Sequence, residues 1–167
     1  EPLFAELGRR GAVVFVHPTY PPRSETQALN IPETVMEFMF ETTRAVGNMI
    51  FSGLLERRLN IRFILPHSGG AVPFLAHRMS VFEGLPKFAA AMPAGVGAYL
   101  RRLHFDTATS GDPLPLAALQ GLADPARILF GTDFPYMKED RVLSEARGVD
   151  GFAGFDAATR PLMERTN

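Results

Sequence analysis

Ile61-Arg62-Phe63-Ile64-Leu65-Pro66-His67-Ser68-Gly69-Gly70 decides the fold. A short, β-rich apolar run stops at a proline and a histidine, and two glycines lead into a helical pattern. The same grammar recurs on either side. Ala12-Val13-Val14-Phe15-Val16 follows Gly11 and ends at His17. Leu103-His104-Phe105-Asp106 and Arg127-Ile128-Leu129-Phe130 supply two more short runs. Between the first two runs a helical pattern extends from Pro32 towards Arg58, with Val35, Met39, Val46, Ile50 and Leu54 near helical spacing. Asn30 and Glu33 stand as a capping box for it, and Gly53 breaks it near its end. Helices are also expected over 70–82, over 87–102 with a break at Pro93, and over 115–123. Strand alternating with helix at this spacing predicts parallel βαβ units, an α/β architecture in one domain.

The arginine pairs Arg9-Arg10, Arg57-Arg58 and Arg101-Arg102 each precede a strand. There they suit the C-terminal ends of the preceding helices, where cations are favoured. The tail reads differently: 138–147 is charged, 148–156 is glycine-rich, and 157–164 looks like the start of a helix.

Composition narrows the function classes. The chain has 167 residues, 46% of them hydrophobic, a net charge of −1 and no cysteine. Thiol nucleophiles, Cys-ligated zinc and disulfides are therefore excluded. The balanced charge gives no footprint for nucleic acid or an anionic membrane, and no apolar run has the roughly 20 residues that span a bilayer. The expectation is a soluble, cytoplasmic protein acting on a small molecule.

Residues capable of chemistry fall where the strands end. His17 closes the first, His67 the second, and Asp133 follows the fourth in Leu-Phe-Gly-Thr-Asp-Phe-Pro-Tyr. In parallel α/β folds these C-terminal ends line the ligand-binding face. Two imidazoles and a carboxylate brought to one face suit a divalent first-row metal such as zinc, with an open position for water. Singly, each has a plainer reading, as a hydrogen-bonded strand end or an Asx turn. Gly69-Gly70 reads either as a tight turn or as an anion-binding loop. His104 begins its strand and reads as structural, and His77, within a helix, reads as a surface or interface residue. Asp106 reads either as a site contact or as a buried acceptor for nearby amides. No phosphate-binding glycine loop and no serine-hydrolase elbow is present in the sequence.

Taken in order, Val-Phe-Val-His-Pro, Ile-Pro-Glu-Thr, Phe-Ser-Gly-Leu-Leu-Glu-Arg, His-Ser-Gly-Gly-Ala and Leu-Phe-Gly-Thr-Asp-Phe-Pro-Tyr resemble one group. These are the amidohydrolase-related metal enzymes typified by aminocarboxymuconate-semialdehyde decarboxylase and γ-resorcylate decarboxylase. The resemblance runs from about Gly11 to Tyr136. It implies the C-terminal half, about strands five to eight, of a (β/α)8 barrel. His17 would then be a metal ligand, Asp133 a second ligand and proton acceptor, and His67 the acid/base. Arg78, about three helical turns after His67, would reach the carboxylate of a substrate held by a neighbouring subunit.

The family's first-strand His-x-His pair is absent from this sequence, and a whole barrel takes about 250 residues. Residues 1–167 are therefore expected to form one partial barrel domain without its N-terminal strands, inactive or weakly active alone. The implied activity is a metal-dependent carboxy-lyase acting on a small unsaturated or aromatic carboxylate, with zinc or manganese. A homodimer or higher homo-oligomer is implied for the full-length protein. The alternatives are a metal-dependent hydrolase of a lactone, amide or ester, and a non-catalytic half barrel that needs a partner.

Overall fold

The computed structural model describes residues 2–20 and 30–166. Four strands, β1 (Val13–Phe15), β2 (Arg62–Leu65), β3 (His104–Asp106) and β4 (Ile128–Leu129), form one parallel sheet in sequential order. Each lies inside its expected run. Helix α1 (Pro2–Arg9) precedes β1, and α2 (Glu37–Phe51) and α3 (Leu54–Arg57) lead to β2. Helices α4 (Val72–Val81), α5 (Pro86–Ala89) and α6 (Val96–Leu100) lead to β3, and α7 (Pro113–Leu122) to β4. Helix α8 (Glu139–Gly151) and the short α9 (Thr159–Pro161) follow.

The register explains the burial. Leu65 pairs with Phe105 and Phe105 with Ile128, and all three are fully buried. With Phe63 they form the sheet face that packs under the helices, joining Val46 and Ile50 of α2 in one core. The opposite face carries Val13, Phe15, Arg62, Ile64, His104 and Leu129, and Val13 and Phe15 stay about half exposed. Along each strand, side chains alternate between the helix-covered face and this second one. Among the described residues no helix is long and apolar enough to cross a membrane.

Two local expectations are corrected and a third is met. The Asn30–Glu33 capping box does not form: a 3-10 turn over Glu33–Val35 follows Pro32, and α2 starts only at Glu37. Met36, at φ −130°, breaks the helical path between the two, and Val35 is left exposed. The break at Gly53 does occur, in the left-handed conformation. Finally, the charged segment and the glycine-rich stretch after it are one helix as far as Gly151. A Cβ on Gly148 would run into the Gly111 carbonyl, so this glycine marks a close approach of α8 to the loop after β3.

Candidate metal and acid–base site

His17, His67 and Asp133 come together where the strands end. One ligand atom from each lies within 4.8 Å of the other two. The arrangement is graded in exposure, with His67 buried, Asp133 intermediate and His17 exposed. The His17 Nδ1–H donates to the Pro18 carbonyl at 2.8 Å, which leaves Nε2 with its lone pair free for a ligand. The His17 and His67 rings meet edge to face, with centroids 5.8 Å apart.

His67 is held by an unusual turn. His67, Ser68, Gly69 and Gly70 all have positive φ, four left-handed residues in succession. For the two that are not glycine this conformation is strained, and strain of this kind clusters at functional sites. Asp106 secures the turn: its Oδ1 accepts the amides of His67 (2.8 Å) and Ala108 (3.0 Å). The buried-acceptor reading of Asp106 is therefore the one realised. Gly69 and Gly70 form the tight turn, since their amides donate to the carbonyls of Pro66 and His67. A Cβ on Gly69 would come within 2.8 Å of the Phe105 ring. The end of β4 is tied in similarly, because the Thr107 hydroxyl accepts the Gly131 amide at 3.2 Å.

Burial pushes the His67 pKa down, and the neighbouring Asp106 and Asp133 carboxylates only partly oppose this. Burial pushes Asp106 up, against the two amides that hold it. The sign for stability follows for His67. The unfolded imidazole binds a proton near its ordinary value of about 6.5, where the folded one still resists. Metal-free chain is thus expected to lose thermal stability as pH falls from 7.5 to 6, with a smaller loss in His67→Gln. Equal pH slopes for the two proteins would contradict the assignment.

The donor set fits a divalent cation. Two imidazoles and a carboxylate are within reach of one point, and His67 Nδ1 is buried without a hydrogen-bond partner. Two aromatic residues outside the sequence argument also stand here. Phe38 lies edge-on to His17 at 6.2 Å, and Tyr20 to Phe38 at 5.3 Å, while Phe15 stacks beside His17 at 6.3 Å. Tyr20, three residues past a candidate ligand, was the one sequence signal for this wall. Arg78 lies in the last turn of α4, exposed and without an ion pair among the described residues. The three-residue cluster does not include it. His77, beside it on α4, is likewise exposed.

Parallel strands whose C-terminal ends gather His17, His67 and Asp133 fit part of a (β/α)8 barrel, and comparison with known proteins agrees on the fold. The amidohydrolase family model matches residues 1–167, and the chain belongs to that family. It is 39% identical over 145 residues to a 6-methylsalicylic acid decarboxylase of Penicillium expansum, covering 85% of this chain and 44% of that protein. It is 37% identical over 161 residues to the 6-methylsalicylic acid decarboxylase of Aspergillus aculeatus, covering 89% and 46%. The chain spans a little under half the length of these curated relatives. Among solved structures, a dihydroxybenzoic acid decarboxylase from Polaromonas, with bound manganese and the inhibitor 2-nitroresorcinol, superposes with a TM-score of 0.81. It is 20% identical, covering 97% of this chain and 50% of that one, so it speaks for the fold. The four parallel strands are half of the (β/α)8 barrel of such enzymes.

Proposed function

We propose that the protein carrying this chain is a cytoplasmic, metal-dependent decarboxylase that removes carbon dioxide from an aromatic carboxylate. The observation that carries this is the convergence of His17, His67 and Asp133 in a chain related to two 6-methylsalicylic acid decarboxylases. In this reading His17 and Asp133 hold a divalent cation beside His67. Nitrogen and carboxylate donors suit zinc and manganese alike, and manganese is the ion in the Polaromonas structure. When bound, the cation supplies Lewis-acid polarisation of substrate oxygen.

The chain's own residues account for the rest. Phe38, Tyr20 and Phe15 flank His17 with ring faces and edges, a surface matched to an aromatic substrate. His67, buried and with a depressed pKa, is neutral at pH 7 and releases readily any proton it picks up. It delivers that proton to the ring carbon that carries the carboxyl group. The C–C bond breaks, its electron pair returns to the ring, and carbon dioxide leaves. Asp133 is the second group placed to accept or return the proton. Arg78 is assigned to the substrate carboxylate of a neighbouring copy in a homo-oligomer, in keeping with its exposure and with its having no ion pair among the described residues. The hydrolase reading rests on the shared scaffold alone.

The test is to incubate protein carrying this sequence, loaded with Mn2+ or Zn2+, with hydroxylated benzoates and to follow carbon dioxide. Release of carbon dioxide is the expected result; ester or lactone cleavage without it would sink the proposal. The ligand assignment has its own check. His17→Ala and Asp133→Ala are each expected to weaken Zn2+ binding, read by competition with a chromophoric chelator, by about 100-fold. Unchanged affinity in either variant would remove that residue from the ligand set.

A further inference from the structure

β3 stands between β2 and β4, and its ladder pairs end at Leu65–Phe105 on one side and Asp106–Leu129 on the other. His67 and Asp133 both lie past these last pairs, where ladder pairing no longer sets the distance between neighbouring strands. Two consecutive side chains at the end of β3 take over there. Asp106 reaches towards the end of β2, where its Oδ1 accepts the His67 amide at 2.8 Å. Thr107, fully buried, reaches the other way. Its hydroxyl accepts the Gly131 amide at 3.2 Å and donates to the Gly131 carbonyl at 3.3 Å. The Thr107 amide itself donates to the Leu129 carbonyl at 3.1 Å, which holds that side chain in place.

The packing is close as well. A Cβ on Gly131 would come within 3.1 Å of Asp106 Cγ, so the carboxylate is lodged between the His67 turn and Gly131. Gly131 stands two residues before Asp133. Asp133 takes the left-handed conformation (φ 62°), and its carbonyl accepts the Met137 amide at 3.0 Å. It is thus anchored before, through Thr107, and after, through Met137.

We propose that Asp106 and Thr107 are positioning residues that set the spacing of His67 and Asp133, and through it the affinity of the site for a divalent cation. The inference rests on the reading of His17 and Asp133 as ligands beside His67. Neither Asp106 nor Thr107 belongs to the three-residue cluster, and each acts through backbone atoms of a neighbouring segment. Groups that orient ligands in this way are worth about 10- to 100-fold in metal affinity, because donors displaced by a fraction of an ångström no longer converge on one ion.

The experiment reads Zn2+ affinity of protein carrying this sequence by competition with a chromophoric chelator, and Tm in EDTA on the same samples. Thr107→Val leaves the Gly131 amide and carbonyl without the hydroxyl, and should weaken Zn2+ about tenfold. Thr107→Ser restores the hydroxyl and should bind within about threefold of the parent. Asp106→Asn and Asp106→Ala lose the same charge, but only asparagine keeps an oxygen for the His67 amide, and it should bind about tenfold more tightly than alanine. Ile128→Val, a buried truncation at the start of β4, should lower Tm and leave affinity in place, which separates spacing from loss of stability. Thr107→Val that binds Zn2+ as tightly as the parent, or Ile128→Val that weakens it as much as Thr107→Val, would overturn the proposal. Equal affinities for Asp106→Asn and Asp106→Ala would remove Asp106 from it, and the threonine pair decides the rest even where Asp106→Ala does not fold. A parent that binds Zn2+ no better than His17→Ala overturns the ligand reading and this inference with it, whereas tight binding by both parent and Thr107→Val overturns the inference alone.

Discussion

Gly70→Ala is expected to destabilise the chain by about 4 kcal/mol, a large single-site effect. Two independent costs add. Gly70 sits at φ 64°, ψ −128°, a region essentially reserved for glycine, and a side chain there costs about 1–3 kcal/mol. An added Cβ would also strike the Met39 carbonyl oxygen of α2, with Thr43 Oγ1 at 3.1 Å, a further steric cost of about 1–3 kcal/mol. Neither neighbour can yield easily. The Thr43 hydroxyl donates to Met39 O at 2.7 Å and accepts the Ala71 amide at 3.0 Å, so it stitches the turn to the helix. Gly47→Ala supplies the comparison. It lies within α2 with nothing within 4 Å of its would-be Cβ, and alanine there should stabilise by roughly 0.5–1 kcal/mol. Urea unfolding of both variants decides the matter. A loss below about 1 kcal/mol at Gly70 would mean the turn is not held as described.

That turn also marks where sequence reading succeeds and where it stops. The strand cores were legible because short apolar runs end at glycine, proline or a charged residue, and each such signal is local. His17, His67 and Asp133 were legible for a related reason: parallel topology sends strand ends to one face, so position along the strand predicts position in space. What was not legible depends on contacts between distant segments. The stretch from Gly148 reads as glycine-rich, yet α8 runs on through it to Gly151, and the glycine is there because the Gly111 carbonyl approaches too closely for any side chain. Asn30 and Glu33 have capping-box spacing, but Pro32 and Met36 steer the backbone elsewhere. Asp106 had two local readings, and the register of β3 beside β2 selects one by placing its carboxylate under the His67 amide. Phe38 reaches His17 only because α2 folds back over the end of β1, a tertiary fact without a local signature.

His67→Gln is expected to lower turnover of an aromatic carboxylate by about a thousandfold while leaving substrate binding within a few-fold of the parent. Glutamine is close to histidine in size and polar, so it can remain in the buried turn, but it can neither take up nor release a proton near neutral pH. The side chain lost is one whose surroundings prepare it for transfer. It is buried, it sits beside two carboxylates, and its Nδ1 has no partner to hold the proton back. If His67 were instead chiefly a metal ligand, His67→Gln would weaken Zn2+ binding as His17→Ala does, and added Mn2+ or Zn2+ would restore turnover. Retained metal affinity with lost kcat is therefore the distinguishing outcome, and rescue by excess metal would move His67 from proton transfer to ligation. The pH dependence offers a second reading. An imidazole with a depressed pKa that works as a proton donor makes the kcat profile of the parent fall as pH rises above that pKa, and His67→Gln should flatten this limb. A limb unchanged in the variant would assign proton delivery to Asp133.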